Sequence, residues 1–131
     1  MTLIDTSAWV EFLRDTGSPA CLRVDELLAD DFSVCEPVRM EVLAGARDEQ
    51  HLRDLRRLLA RGQLIATVSA DFEEAAMLYR ACRRRGTTVR RMLDCLIGAI
   101  AIRVGRPLLH CDGDFEFLAR HSLLRLDDGD A

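Results

Sequence analysis

Apolar positions along the chain fall into two kinds of segment: short unbroken runs, and longer stretches where apolar residues recur at the spacing of one helix face. Residues 2–5 form the first run, and a helical pattern follows from Ser7, with Ala8, Trp9, Phe12 and Leu13 on one face. Ser18 and Pro19 read as the cap and first residue of a second helix, continued by Ala20, Cys21, Val24, Leu27 and Leu28. Residues 32–35 read as a strand. Pro37 opens a helix through Val38, Met40, Val42 and Leu43 that stops near Gly45, and Leu52, Leu55, Leu58 and Leu59 mark another. Residues 64–68 fit either a strand or an extended connector. Ser69 reads as the cap of a long helix through Phe72, Ala75, Ala76, Tyr79 and Cys82 that ends at Gly86. Residues 92–104 are apolar almost all round, which predicts a buried helix, ended by Gly105. Residues 107–111 read as a third strand, 115–119 as a short helix and 123–126 as a last strand. Strands alternating with helices predict an α/β fold with a mainly parallel central sheet of about four to five strands and helices on both faces. In such sheets ligands bind outside the carboxyl ends of the strands.

The length of 131 residues suits one domain, residues 1–131, and no segment reads as a linker or repeat. The start of the chain lacks the basic and apolar regions of a secretory signal. The longest uncharged apolar run, residues 95–102, falls far short of the roughly 20 residues that span a bilayer. These features predict a soluble, cytoplasmic protein with no membrane association. The five cysteines, Cys21, Cys35, Cys82, Cys95 and Cys111, are odd in number and lack zinc-knuckle spacing, so they read as reduced thiols, mostly in the core.

A net charge of −4 argues against a nucleic-acid partner, but the distribution changes that picture. All 18 basic residues are arginine. Arg80, Arg83, Arg84, Arg85, Arg90 and Arg91 cluster, and Arg53, Arg56, Arg57 and Arg61 form a second group. Guanidinium forks match phosphate oxygens bidentately, so an acidic protein can still hold a polyanion on one face. Arg84, Arg85, Arg90 and Arg91 are the candidate contacts to such a polyanion; a solvated helix end would also account for part of this group.

On this map the acids gather at one edge of the sheet. Asp5 ends the first strand, Glu41 lies in the helix after the second, Asp94 lies in the first turn of the buried helix, and Asp112 and Asp114 follow the third strand. Singly, Asp5 serves equally well as a cap, Glu41 as a solvated helix residue, and Asp112 and Asp114 as turn residues around Gly113. Asp94 is the most informative, because it is the only charge from Met92 to Ile102. A buried carboxylate costs several kcal/mol without compensation, and the helix N-terminus returns only about 0.3–1 kcal/mol. Converging carboxylates without nearby thiol or imidazole ligands suit magnesium, or manganese. Such clusters serve phosphodiester cleavage.

Four blocks, "LIDTSAWVEFL", "EPVRMEVLAGA", "RRMLDCLIGAIA" and "PLLHCDGDFEFLA", occur in an order and spacing that resemble the PIN-domain ribonucleases, and more narrowly the VapC toxins of bacterial toxin–antitoxin pairs. The resemblance implies a three-layer PIN-like fold and a magnesium-dependent endoribonuclease acting on transfer or ribosomal RNA. It matches Asp5, Glu41 and Asp94 to the first three family acids and Asp112 to the fourth, with Asp5, Asp94 and Asp112 as metal ligands. Whether Asp112 or Asp114 does the fourth acid's work stays open. Thr6 matches a supporting hydroxyl residue. His110 and Cys111 depart from the family's usual hydroxyl and basic residues there, and His110 is taken as a supporting group. The resemblance also implies a VapB-like antitoxin partner and a homodimer joined through apolar helix faces that include Leu52, Leu55 and Leu59.

Two rivals lack their chemistry. A phosphoaspartyl domain needs a lysine, and a dinucleotide-binding domain needs a glycine-rich turn after its first strand; the chain has neither. The alternative that stays open is a PIN-like module that binds RNA or protein without cutting.

Overall fold

The computed structural model describes residues 1–129. The chain runs β1 (Leu3–Ile4), α1 (Thr6–Leu13), α2 (Pro19–Leu28), β2 (Ser33–Cys35), α3 (Glu36–Ala44), α4 (Glu49–Leu59), β3 (Gln63–Ile65), α5 (Ser69–Arg84), α6 (Met92–Val104), β4 (Leu108–Leu109) and α7 (Gly113–Arg120). All strand pairs are parallel, in the order β3-β2-β1-β4. Every residue of β1, β2 and β4 is buried, as a sheet covered on both faces requires. Only the edge strand β3 exposes side chains, Gln63 and Leu64.

The chain steps from β1 to β2 to β3 in one direction and returns to β4 on the far side of β1. Right-handed crossovers therefore put α1 to α4 on one face and α5 and α6 on the other. Within each group α1 packs against α2 and α3, α3 against α4, α5 against α6, and α7 against α5 and α6, while α3 also meets α6 across the division. The reversal between β1 and β4 opens a crevice at their carboxyl ends, where open α/β sheets hold ligands.

α6 passes through the centre of the core, with Cys95 to Ala101 all buried. Gly105, at φ 66°, ends it in the left-handed conformation. Its far end is braced by Arg103, whose Nε donates to Asp71 Oδ1 at 2.8 Å and whose Nη2 donates to Asp71 Oδ2 at 3.1 Å and to the Ala66 carbonyl at 2.8 Å. Asp71 also accepts from the Val68 N–H at 2.9 Å, so one buried carboxylate ties the start of α5 to the end of α6.

Several expectations are corrected. Residues 123–126 do not form a strand; Leu126 makes a single bridge to Leu108. Residues 63–65 are a true strand because Gln63 donates to the Phe32 carbonyl and extends the ladder beside β2. Ser69 is the first residue of α5 and not its cap, since Asp71 satisfies the Val68 N–H instead. Cys111 is exposed, unlike the other four free thiols. Leu55 and Leu59 lie in the protomer's own core, 3% exposed each, so they cannot join two copies. No helix among the described residues is long and apolar enough to cross a membrane.

The turn into β3 shows how tightly the strands are fitted. A Cβ on Gly62 would lie 2.6 Å from Phe32 Cδ2 and 2.9 Å from the Phe32 carbonyl oxygen. Gly62→Ala should therefore lower stability by about 1–3 kcal/mol through overpacking, read from the urea midpoint. An unchanged midpoint would mean that the Phe32 ring gives way freely.

Candidate active site

Asp5 follows β1 directly and caps α1. Its Oδ2 accepts from the Ser7 N–H at 2.9 Å and the Ser7 hydroxyl at 2.5 Å. Ser7 Oγ in turn accepts from the Cys111 N–H at 2.8 Å, so one hydroxyl joins the exits of β1 and β4. Asp5 Oδ1 is buried with no partner. Burial pushes the Asp5 carboxyl above its usual range, the Ser7 hydrogen bonds oppose this, and the charge of Glu41 adds to it.

Asp94 is the third residue of α6 and is 2% exposed. Its Oδ2 is likewise buried with no partner. Its pKa is pushed up to about 7, chiefly by burial and then by the Asp5 charge; Arg91 opposes the shift, while Asp112 and Asp114 add to it. Two orphaned carboxylate oxygens on interacting acids are costly, because each has left water without a replacement donor.

Asp112 caps α7 by accepting from the Asp114 N–H at 3.1 Å. Asp94, Asp112 and Asp114 each offer an oxygen within 4.8 Å of the others. This tight set includes Asp114, whereas the expected ligand set has Asp5 in its place; among neighbouring charges, that of Asp5 acts most strongly on Asp94. The donors are hard oxygens only, and two acids nearby carry unpartnered oxygens, so the residues fit a divalent cation such as magnesium or manganese.

The loop before α6 lays two arginines across these acids. Arg90 donates from Nη2 to Asp112 Oδ1 at 2.9 Å and from Nε to Asp114 Oδ2 at 3.3 Å. Arg91 Nη2 pairs with Glu41 Oε2, and the Thr6 hydroxyl donates to Glu41 Oε1 at 2.7 Å. Thr6 thus reaches Glu41, and Glu41 joins the pocket from α3. His110 Nδ1 accepts from the Asp112 N–H at 3.1 Å, and its ring packs against Phe115, so it supports the loop backbone. Arg84 and Arg85 are exposed at the end of α5. The Cys82 thiol, pushed up by burial and by the Asp114 charge, marks that helix end as a neighbour of the site.

Sequence reasoning missed Ser7 as a joint between the two strand exits. The signal was present as an Asp followed two residues later by Ser at a helix start, the pattern of a local side-chain cap. It also missed that Arg90 and Arg91 pair with the acids; nothing in a run of loop residues 85–91 indicates where their side chains turn.

Residues 2–121 match the family described as PIN domain. Ribonuclease VapC11 of Mycobacterium tuberculosis is 48% identical over 124 residues, covering 92% of each chain. Among solved structures, VapBC2 from Rickettsia felis, bound to a DNA fragment from its promoter, superposes with a TM-score of 0.77 at 18% identity over 96% of each chain. VapC20 of M. tuberculosis, described as a sarcin-ricin loop cleaving toxin, superposes with a TM-score of 0.67 at 18% identity, over 95% of this chain and 99% of that one. The two structures match in fold.

The raised Asp94 pKa sets a pH dependence when divalent ions are chelated. The folded protein holds this proton up to about pH 7, whereas an unfolded Asp releases it near its usual pKa of about 3.9. Between these values the native state binds more protons, so stability should fall as pH rises from about 4 to 7. Urea unfolding in EDTA across that range should show the decline, and Asp94→Asn should flatten it. An Asp94→Asn profile parallel to wild type would remove Asp94 as its source.

Proposed function

The chain belongs to the PIN-domain family, and within it to the VapC ribonucleases; from that premise we propose that it is a magnesium-dependent endoribonuclease that cuts transfer or ribosomal RNA as the toxin of a type II toxin–antitoxin pair. The observation that carries this reading is the pair of buried, unpartnered oxygens, Asp5 Oδ1 and Asp94 Oδ2, beside the converging Asp112 and Asp114. We assign Asp5, Asp94 and Asp112 as metal ligands, and Asp114 as the acid that completes the tight set. When bound, the ion supplies Lewis-acid activation of a water and positive charge against the phosphate and the leaving oxygen.

The chain's own residues supply the rest. Ser7 fixes Asp5, Arg90 fixes Asp112 and Asp114, and His110 supports the Asp112 backbone. Glu41, held by Thr6 and Arg91, is in this reading the proton acceptor for the attacking water. Arg84 and Arg85 meet RNA phosphates beside the site. Arg90 and Arg91 keep donors beyond their ion pairs, because a guanidinium carries five N–H groups, and these face the same polyanion.

A VapB-like antitoxin would silence the toxin with a basic side chain placed among the acids. The pairing of Arg90 and Arg91 with Asp112, Asp114 and Glu41 supports this, since it demonstrates that a guanidinium fits there. For a homodimer, Met40, Leu64 and Phe72 offer exposed apolar side chains grouped around one cavity. Light scattering should report a dimer at micromolar concentration; a monomer would count against it.

The test of the active site is Asp94→Asn. It should abolish RNA cleavage and remove most of the rise in melting temperature that magnesium gives the wild type, since an ion bound only to the folded state stabilises it. In EDTA the variant should melt no lower than wild type, because a buried charge and its repulsions are gone. A variant that melts lower yet still cuts RNA with magnesium would make Asp94 a structural residue.

A further inference from the structure

Arg90 and Arg91 are paired with acids, and among the described residues unpaired guanidiniums occur beyond those of Arg84 and Arg85. A cavity of about 360 Å³ opens between α1, α3 and α4, and two of its lining residues, Thr6 and Glu41, belong to the candidate active site. Its volume lies within the usual range of ligand clefts, about 300–1,000 Å³. Val10, Val42 and Leu55 give it an apolar floor. Its rim carries Arg14, Arg47 and His51. Arg14 and Arg47 are exposed, and among the described residues neither guanidinium makes a hydrogen bond or ion pair. The Arg47 N–H instead donates to His51 Nδ1 at 3.0 Å, which leaves the proton of a neutral ring on Nε2, a donor.

We propose that this cavity is a nucleotide subsite on the RNA path, taking a splayed base against its apolar floor and the flanking phosphates on Arg14 and Arg47; this rests on the ribonuclease reading above. Single-stranded RNA is held by such a combination of positive rim and base-sized apolar surface. Continuity favours RNA over a protein segment as the occupant. A strand lying across Asp94 and Glu41 runs directly into the cavity, because Glu41 and Thr6 form its wall. A second pair of exposed arginines, Arg84 and Arg85, lies at the end of α5, whose Cys82 feels the Asp114 charge. The site therefore has paired guanidiniums among its acids and free ones at the cavity rim and at the end of α5.

The test measures binding of a labelled single-stranded RNA by fluorescence anisotropy across a range of salt, with calcium replacing magnesium. Arg14→Gln combined with Arg47→Gln should weaken binding about tenfold. The slope of log affinity against log salt should flatten by about 1.4, the loss of two single-strand phosphate contacts. The magnesium-induced rise in melting temperature should match wild type, because the acids are untouched. Arg57→Gln combined with Arg120→Gln removes the same charge from exposed positions outside the cavity and should leave the slope unchanged. If wild type binds RNA and the Arg14/Arg47 variant binds with equal affinity and slope, this proposal is overturned alone. It is equally overturned if that variant loses a VapB-like partner while holding RNA normally, or if the Arg57/Arg120 control flattens the slope as much. A wild type that binds no RNA overturns the ribonuclease reading and this proposal together.

Discussion

Repulsion among carboxylates is the constraint around which this molecule is arranged. Asp94, Asp112 and Asp114 present oxygens within 4.8 Å of one another, and Asp5 adjoins them. At an effective dielectric of about 20, two full charges at that distance oppose each other by about 3–4 kcal/mol, a large fraction of what holds a small domain together. The fold answers with fixed partners: Ser7 for Asp5, Thr6 and Arg91 for Glu41, Arg90 for Asp112 and Asp114. Those partners leave Asp5 Oδ1 and Asp94 Oδ2 without donors. The tension that remains is local and faces one pocket, which is where a cation lowers the energy most.

Such a cluster needs a scaffold that cannot relax away from it. Asp94 is carried by the helix most enclosed by the core, and that helix is braced at its other end by Arg103 on buried Asp71. Asp5 and the Asp112 loop leave adjacent parallel strands, and Ser7 Oγ joins them across 2.8 Å. Glu41 comes from α3, which packs on α1 and also meets α6. Four chain segments therefore hold the acids. The backbone near the site is accordingly fixed by caps and strand ends, not by long loops.

The parts of this arrangement legible in the sequence were those that depend on local rules. Helix periodicity and the Ser18–Pro19 start located α2, the apolar run located α6, and a lone charge inside that run singled out Asp94. Position at strand ends then brought Asp5 and Asp112 to the same edge. What stayed hidden depended on long-range partners. Leu55 and Leu59 look alike as a surface stripe or a core contact until α4 is seen against the sheet. The last expected strand shrank to one bridge at Leu126, because hydrogen bonding to Leu108 is decided by tertiary approach and not by its own residues. Residues 64–68 read equally as strand or connector in the sequence, because an edge strand with exposed Leu64 lacks the burial pattern of its neighbours.

The exclusive use of arginine also gains a physical meaning from the site. Arg90 reaches Asp112 through Nη2 and Asp114 through Nε at once, from a side chain that is mostly exposed. An ammonium is a compact point charge without that planar fork and would have to favour one carboxylate over the other. Because the pair is solvent-facing, its contribution to stability is small, so its effect is on geometry: it sets the spacing of two acids while leaving one oxygen of each unclaimed by the fork. A guanidinium that organises carboxylates in this way also screens them from an approaching polyanion. An acidic protein can then present a cluster of aspartates to a phosphate chain without expelling it, and net charge becomes a poor guide to what the crevice accepts.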